Sequence, residues 1–372
     1  MRAKLLLLTF LTFVLITFAI PTMPGIWRTA KLADGTEIRL EQVGDENLHY
    51  WRDARGLCYN VDDDGVATPI VNIETVRAQT ATRIAQNNAR RAAAATRTVG
   101  ISRRHVGKRK DLIVLVNFSD VRFQPAHTKS LLSRMANEVG FTYKDGHRGS
   151  LHDYFKDQSN GLFDLTFDVV GPVKLKHPHQ FYGERTANMN DANAPQMIID
   201  ACNAIQGQVD FSKYDWDDDG EVEQVYVIYA GEGEATGGES STIWPHKYSL
   251  TDAGLDALTF NGQTINTYAC SNEIIRAKVN EKSRIFYSGI GTICHEFSHC
   301  LGLPDFYDTR GGSNIGSARY DLMCGGSYNG GPESLINVYG GTGIGTVPAG
   351  YDAYEKAYMG WLKPITLADE PV

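Results

Sequence analysis

The chain has 372 residues, enough for one large domain or two ordinary ones with a sizeable core. Its 42% hydrophobic and 22% charged content is that of a soluble globular protein. A formal net charge of −8 excludes the basic face of a nucleic-acid binder.

Arg2 and Lys4 open the chain, and Leu5 to Ile20 is an apolar run broken only by Thr9, Thr12 and Thr17. At about 16 residues the run is short of the roughly 20 needed to span a bilayer, and small Ala19 and Pro21 close it. Residues 1–20 are therefore expected to be a secretory signal peptide cut near Ala19. No later stretch is apolar enough to span a membrane, so export without a stable membrane anchor is expected.

Residues 21–75 read as a β-rich module, with turn signals at Asp34-Gly35 and Asp64-Gly65 around alternating stretches such as Thr36 to Leu40. A helical, alanine-rich pattern follows from about Ile73. Residues 76–110 hold ten Lys or Arg and no acid. Arg90-Arg91, Arg103-Arg104 and Lys108-Arg109-Lys110 read as exposed, cleavable sites in a basic helical linker. Residues 1–110 carry a net +7 and residues 111–372 a net −15. This asymmetry suggests a basic pro-region that docks on an acidic domain as its intramolecular inhibitor.

Residues 111–372 open with the buried-strand run Leu112 to Val116. Helical patterns follow near 127–139, 148–157, 194–205, 287–301 and 350–361, with strands at 162–173 and 222–229. Strands alternating with helices indicate an α/β (α+β) fold. The six cysteines, Cys58, Cys202, Cys270, Cys294, Cys300 and Cys324, leave open either one disulfide near the later motifs or buried free thiols.

Within this domain Asp215, Asp217, Asp219, Glu221 and Glu223 alternate around Gly220 like the opening of a calcium loop. Residue 221 would offer its carbonyl and Glu223 a side chain. Tyr226 stands where a complete EF-hand has Glu. The plain alternative is an acidic surface turn.

His295-Glu296-Phe297-Ser298-His299 places two imidazoles four residues apart, on one face of a helix, where both can grip one zinc ion. Glu296 lies beside them as a general base for attack by zinc-bound water on a carbonyl. On composition alone, HExxH arises by chance in roughly one such chain in sixty. Gly302 can reverse the chain and Pro304 stops the helix resuming, which returns Asp305 as a third ligand.

This string resembles the metzincin signature HExxHxxGxxH, with Asp305 in place of the third histidine and Tyr320 to Gly326 similar to its methionine turn. The fuller CHEFSHCLGLPDFYD, with YDLMCGGSYNG and Trp244-Pro245-His246, resembles the immune inhibitor A-like family of secreted bacterial metallopeptidases over roughly residues 108–364. A weaker likeness around Gly44-Asp45-Glu46 and His49-Tyr50 extends into the pro-region. The resemblance implies a metzincin fold with a twisted sheet, a backing helix and an active-site helix. It implies zinc on His295, His299 and Asp305, Glu296 as general base, Met323 under the metal, and proteins or peptides as substrates. Tyr328 would lean toward the oxyanion or pack in the core, and His246 would line the cleft or serve structure. Latency would come from a Cys58 thiolate or from the Asp62-Asp63-Asp64 run, the plain alternative being a paired or buried Cys58. The rival reading is a non-catalytic surface-binding protein that keeps the fold and a structural metal.

Overall fold

The computed structural model describes residues 20–45, 47–82, 105–185, 191–279, 282–309, 316–332 and 343–365. Residues 1–19 of the expected leader, and residues 83–104 with two of the three basic blocks, lie outside them. No helix among the described residues is long and apolar enough to cross a membrane.

The N-terminal module is an antiparallel meander of β1 (Trp27–Lys31), β2 (Glu37–Gly44), β3 (His49–Arg52), β4 (Cys58–Val61) and β5 (Ala67–Pro69). Gly35 and Gly65 turn two of its corners at φ 85° and 77°, which a side-chain-bearing residue rarely adopts. Residues 73–82 are helical. One small cluster, Leu48, Tyr50 and Cys58, lies within the module. Leu40, Trp51, Tyr59 and Val61 join one cluster with Ala235, Trp244, Phe286 and Tyr328 of the larger domain.

The larger domain is built on β6 (Gly107–Asn117), β7 (Phe163–Lys174), β9 (Val225–Glu232) and β13 (Thr267–Val279), parallel neighbours in the order β13-β9-β6-β7. The strands β10 (His246–Ser249) and β14 (Lys282–Tyr287) add to β13 antiparallel. A small separate sheet joins β8 (Glu221–Val222), β11 (Leu258–Phe260) and β12 (Gln263–Ile265), so the strand expected over 222–229 is split in two.

Both faces of the large sheet are covered, which explains the unbroken apolar run in β6. Ile113 and Leu115 face α1 (Lys129–Asn137), α2 (Leu151–Gln158) and α4 (Ile290–Cys300). Leu112, Val114 and Val116 face α3 (Ala194–Ile205). A short α5 (Ala353–Tyr358) packs beside α4. The mixed α/β expectation agrees with these layers.

One expectation needs correction. Lys108-Arg109-Lys110 is not linker: it forms the start of β6, paired with Asp164, Leu165 and Thr166. Lys108 and Lys110 are exposed and Arg109 half-buried, so a charge run that reads as tail is held in a sheet. No disulfide joins the six cysteines; five are buried thiols and Cys300 is half-buried.

Candidate functional site

The site begins with the way α4 ends. Leu301 is its C-cap; Gly302 N donates to His299 O at 3.0 Å and Leu303 N to Ser298 O at 3.1 Å. This paired pattern is a Schellman turn. Gly302 holds φ 99°, and a Cβ there would lie 2.6 Å from the Tyr358 hydroxyl. The reversal carries the chain back under the helix, and Phe306 N pairs with Met323 O at 3.0 Å.

That path brings His295, His299 and Asp305 together, all buried. Asp305 Oδ1 lies 3.2 Å from His295 Nε2 and 3.5 Å from His299 Nε2, and the two Nε2 atoms are 3.0 Å apart. The opposite ring nitrogens are engaged: His295 Nδ1 donates to Leu322 O and His299 Nδ1 to Leu303 O, each at 2.8 Å. Those carbonyls assign the Nδ1–H tautomer, which leaves both Nε2 lone pairs aimed at the carboxylate. Neither Asp305 oxygen has a hydrogen-bond donor. Burial opposes charge on His295, yet Asp305 draws it up to about 9, so that without a metal a proton is held between them, while burial holds His299 down to about 4. Three inward-facing lone-pair groups therefore call for a shared cation, and an N,N,O donor set fits zinc.

Met323 is fully buried in the cluster that holds Phe297 of α4. Asp321 shapes its turn, with Oδ1 accepting Met323 N at 2.6 Å and its carbonyl accepting Gly326 N at 3.0 Å. Gly291 admits the next segment: a Cβ there would lie 1.8 Å from Ser327 O.

Glu296 is fully buried, and burial pushes its carboxyl up to about 8 against the lowering pull of His295 and a backbone amide. That amide is the unexpected feature. Ile20 N donates to Glu296 Oε1 at 2.7 Å. Trp244 Nε1 donates to Ile20 O at 3.0 Å, Tyr328 Oη to Pro21 O at 2.7 Å, and Met23 N to Ala235 O at 2.9 Å. Ile20 and Met23 are fully buried. The first described residues thus lie against the Glu296 carboxylate and the Trp244 and Tyr328 side chains.

Behind them His49 stacks on Trp244 with ring centroids 4.3 Å apart, and its Nε2 lies 3.2 Å from Glu234 Oε2. Arg185 closes on both His49 and Glu234. Sequence reasoning missed this segment and its lock; only the position of Ile20 at the leader's end hinted at it. Neither expected latency device is among these contacts. Cys58 packs with Leu48 and Tyr50 inside the module, and Asp63 accepts from the Ser240 hydroxyl. Asp45 is the module's acid near the site, pushed up to about 8 by burial and by Asp305.

His246 is buried, bonded to Trp244 O at 2.7 Å and Tyr268 Oη at 3.0 Å, a structural placement. In the acidic loop only Asp215, Asp217 and Glu223 offer oxygens within 4.8 Å of one another. Asp219 Oδ1 accepts Glu221 N at 2.9 Å, and Glu221 is drawn into β8. Amide bonding does not separate the three from the other two, since Asp215 accepts Asp219 N and Gly220 N and Glu223 accepts Trp216 N.

Comparison with known proteins agrees with this geometry. The chain is 23% identical over 267 residues to the pre-pro-metalloprotease PrtV of Vibrio cholerae, a match over 64% of this chain and 26% of that protein. It is 23% identical over 263 residues to immune inhibitor A of Bacillus thuringiensis subsp. alesti, over 60% of this chain and 37% of that one. The matched part thus spans about a quarter to a third of these relatives. The family model for the immune inhibitor A peptidase M6 catalytic domain matches residues 102–362, from before β6 to beyond α5. The chain therefore belongs to the immune inhibitor A peptidase family, a family of metallopeptidases.

Proposed function

We propose that the chain is an exported bacterial zinc endopeptidase with a metzincin-type site, made as a latent proenzyme. The observation that carries the reading is the convergence of His295 Nε2, His299 Nε2 and Asp305 Oδ1, with Glu296 adjacent. His295, His299 and Asp305 would hold the metal. Bound there, zinc supplies Lewis-acid polarisation of the scissile carbonyl and acidifies water. Glu296 takes the proton from the attacking water and passes it to the leaving amide nitrogen. The Leu322 and Leu303 carbonyls hold the imidazoles in orientation throughout. Tyr328, once free of Pro21, presents its hydroxyl to the developing oxyanion.

Residues 21–75 act as the pro-region in this reading and the basic segment joins it to the peptidase. Latency lies in main chain rather than in Cys58 or Asp62 to Asp64: with the leader cut after Ala19, Ile20 becomes the first residue, its nitrogen occupies the base, and Tyr328 is engaged by Pro21. Calcium on Asp215, Asp217 and Glu223 would brace the loop before β9.

Hydrolysis of a denatured protein by the chain freed of its N-terminal module tests the proposal. Activity should vanish with a zinc chelator and return with zinc. Glu296→Ala should abolish turnover while zinc stays bound. A wild-type protein that binds zinc but cleaves nothing would favour the non-catalytic binding protein instead.

A further inference from the structure

Behind the Met323 turn lies a second acidic cluster that the peptidase reading does not use. Asp321 opens the turn, Asp352 is the N-cap of α5, and Glu355 sits in its first turn. One carboxylate oxygen from each lies within 4.8 Å of the others. Glu355 and Asp321 are 0% and 1% exposed, while Asp352 faces solvent.

Half of this cluster is accounted for by capping. Asp321 Oδ1 accepts Met323 N at 2.6 Å, Glu355 Oε2 accepts Asp352 N at 2.6 Å, and Asp352 Oδ1 accepts Glu355 N at 2.8 Å. The remaining oxygens of the two buried acids, Asp321 Oδ2 and Glu355 Oε1, have no donor except a proton shared between the two carboxyls. Buried polar atoms are normally paired, so these two orphans need an explanation. Burial and Asp321 push Glu355 up to about 8, and burial with Asp352 pushes Asp321 up to about 6. A bare cluster of anions is poorly tolerated there.

We propose that Asp321, Asp352 and Glu355 form a structural cation site that takes calcium. All three ligands are hard oxygens, with no imidazole or thiolate to favour zinc. Calcium–oxygen bonds of about 2.3–2.6 Å can bridge oxygens nearly 5 Å apart, whereas magnesium demands a tighter octahedron. Water entering beside exposed Asp352 completes the shell. The ion clamps α5 to the turn whose Leu322 carbonyl orients His295, so it steadies the floor of the zinc site from outside. The site stands on its own geometry, whether or not the chain cleaves peptides.

The competing occupant is a proton shared by Asp321 and Glu355, and amide substitution separates the two. Glu355→Gln keeps the capping acceptor and mimics a protonated acid. The zinc-loaded full chain is equilibrated with excess calcium, and bound calcium is counted by elemental analysis beside calcium-dependent melting. With calcium at the site, Glu355→Gln binds one equivalent fewer than the parent and loses part of the calcium-induced rise in Tm. Asp215→Asn/Asp217→Asn, which alters only the other acidic loop, retains that equivalent. An unchanged count and melting response in Glu355→Gln would assign the shared proton and overturn the proposal. If Glu355→Gln does not fold, the loop variant decides alone: one retained equivalent supports the site and none overturns it.

Discussion

Tyr328→Phe gives the sharpest test of how the N-terminal segment is held. The substitution removes one hydroxyl from a fully buried ring and nothing else. That hydroxyl donates to Pro21 O at 2.7 Å, across 307 residues of sequence. Without it the partly buried Pro21 carbonyl loses its donor, at a cost of about 1–2 kcal/mol. Converted at 1.4 kcal/mol per decade, the inhibition constant of the N-terminal module should rise roughly 5- to 30-fold. The assay adds the separately produced module to the peptidase domain and follows peptide hydrolysis. Tyr154→Phe is the control: its hydroxyl donates to Ala349 O at the same 2.7 Å, but both groups lie within the peptidase domain. It should lower Tm and leave the inhibition constant alone. An unchanged inhibition constant in Tyr328→Phe, or equal rises in both variants, would refute the seating of Pro21 on Tyr328. The free enzyme's kcat adds a second readout, falling in Tyr328→Phe if the hydroxyl serves the oxyanion.

Two further substitutions address how the site is built and how pH acts on the fold. Gly302→Ala forces a side chain into φ 99° and against the Tyr358 hydroxyl, so it should lower stability by about 1–3 kcal/mol and reduce zinc content on purification; normal melting and full zinc content would show that the turn tolerates the change. His246 is held down to about 4 by burial, below its ordinary 6.5. Its contribution is complete above the unfolded value and is lost as pH falls from 6.5 toward 4, because the unfolded chain takes the proton first. Between pH 7 and pH 5 this amounts to about 2 kcal/mol, at 1.36 kcal/mol per unit. Denaturant melts of His246→Gln should therefore lose about that much less than wild type over the same interval; parallel losses would mean that His246 titrates normally in the fold.

What the sequence reveals about the site is mostly local. The i, i+4 histidines and Gly302 belong to one helix and its Schellman turn, so helical geometry alone brings Asp305 back. Leu112 to Val116 reads as a buried strand because both sheet faces are covered. The misreadings occur where local composition competes with long-range pairing. Lys108 to Lys110 resembles a linker until Asp164 to Thr166, more than fifty residues away, pair with it. No periodicity marks Ile20 as the partner of Glu296, 276 residues later. The Asp321, Asp352 and Glu355 cluster escapes notice for the same reason: a turn and a helix cap meet only after folding.

The seating of Ile20 to Met23 also constrains how activity can be released. Their contacts reach Glu296, Trp244, Tyr328 and Ala235, all noncovalent. Behind them the module shares a continuous apolar cluster with the peptidase domain, and His49, Arg185 and Glu234 lock its edge. Cutting the chain between residues 82 and 105 breaks none of these contacts. Under the proposed latency it converts an intramolecular inhibitor into a bound one, and only its effective concentration falls. Activation then depends on the inhibition constant that Tyr328→Phe perturbs. If that constant is low, a nicked chain stays silent until the module is diluted or digested. In the proposed mechanism Glu296 and Tyr328 serve both states, because groups placed to meet a peptide's main chain also hold the main chain of the segment that covers them.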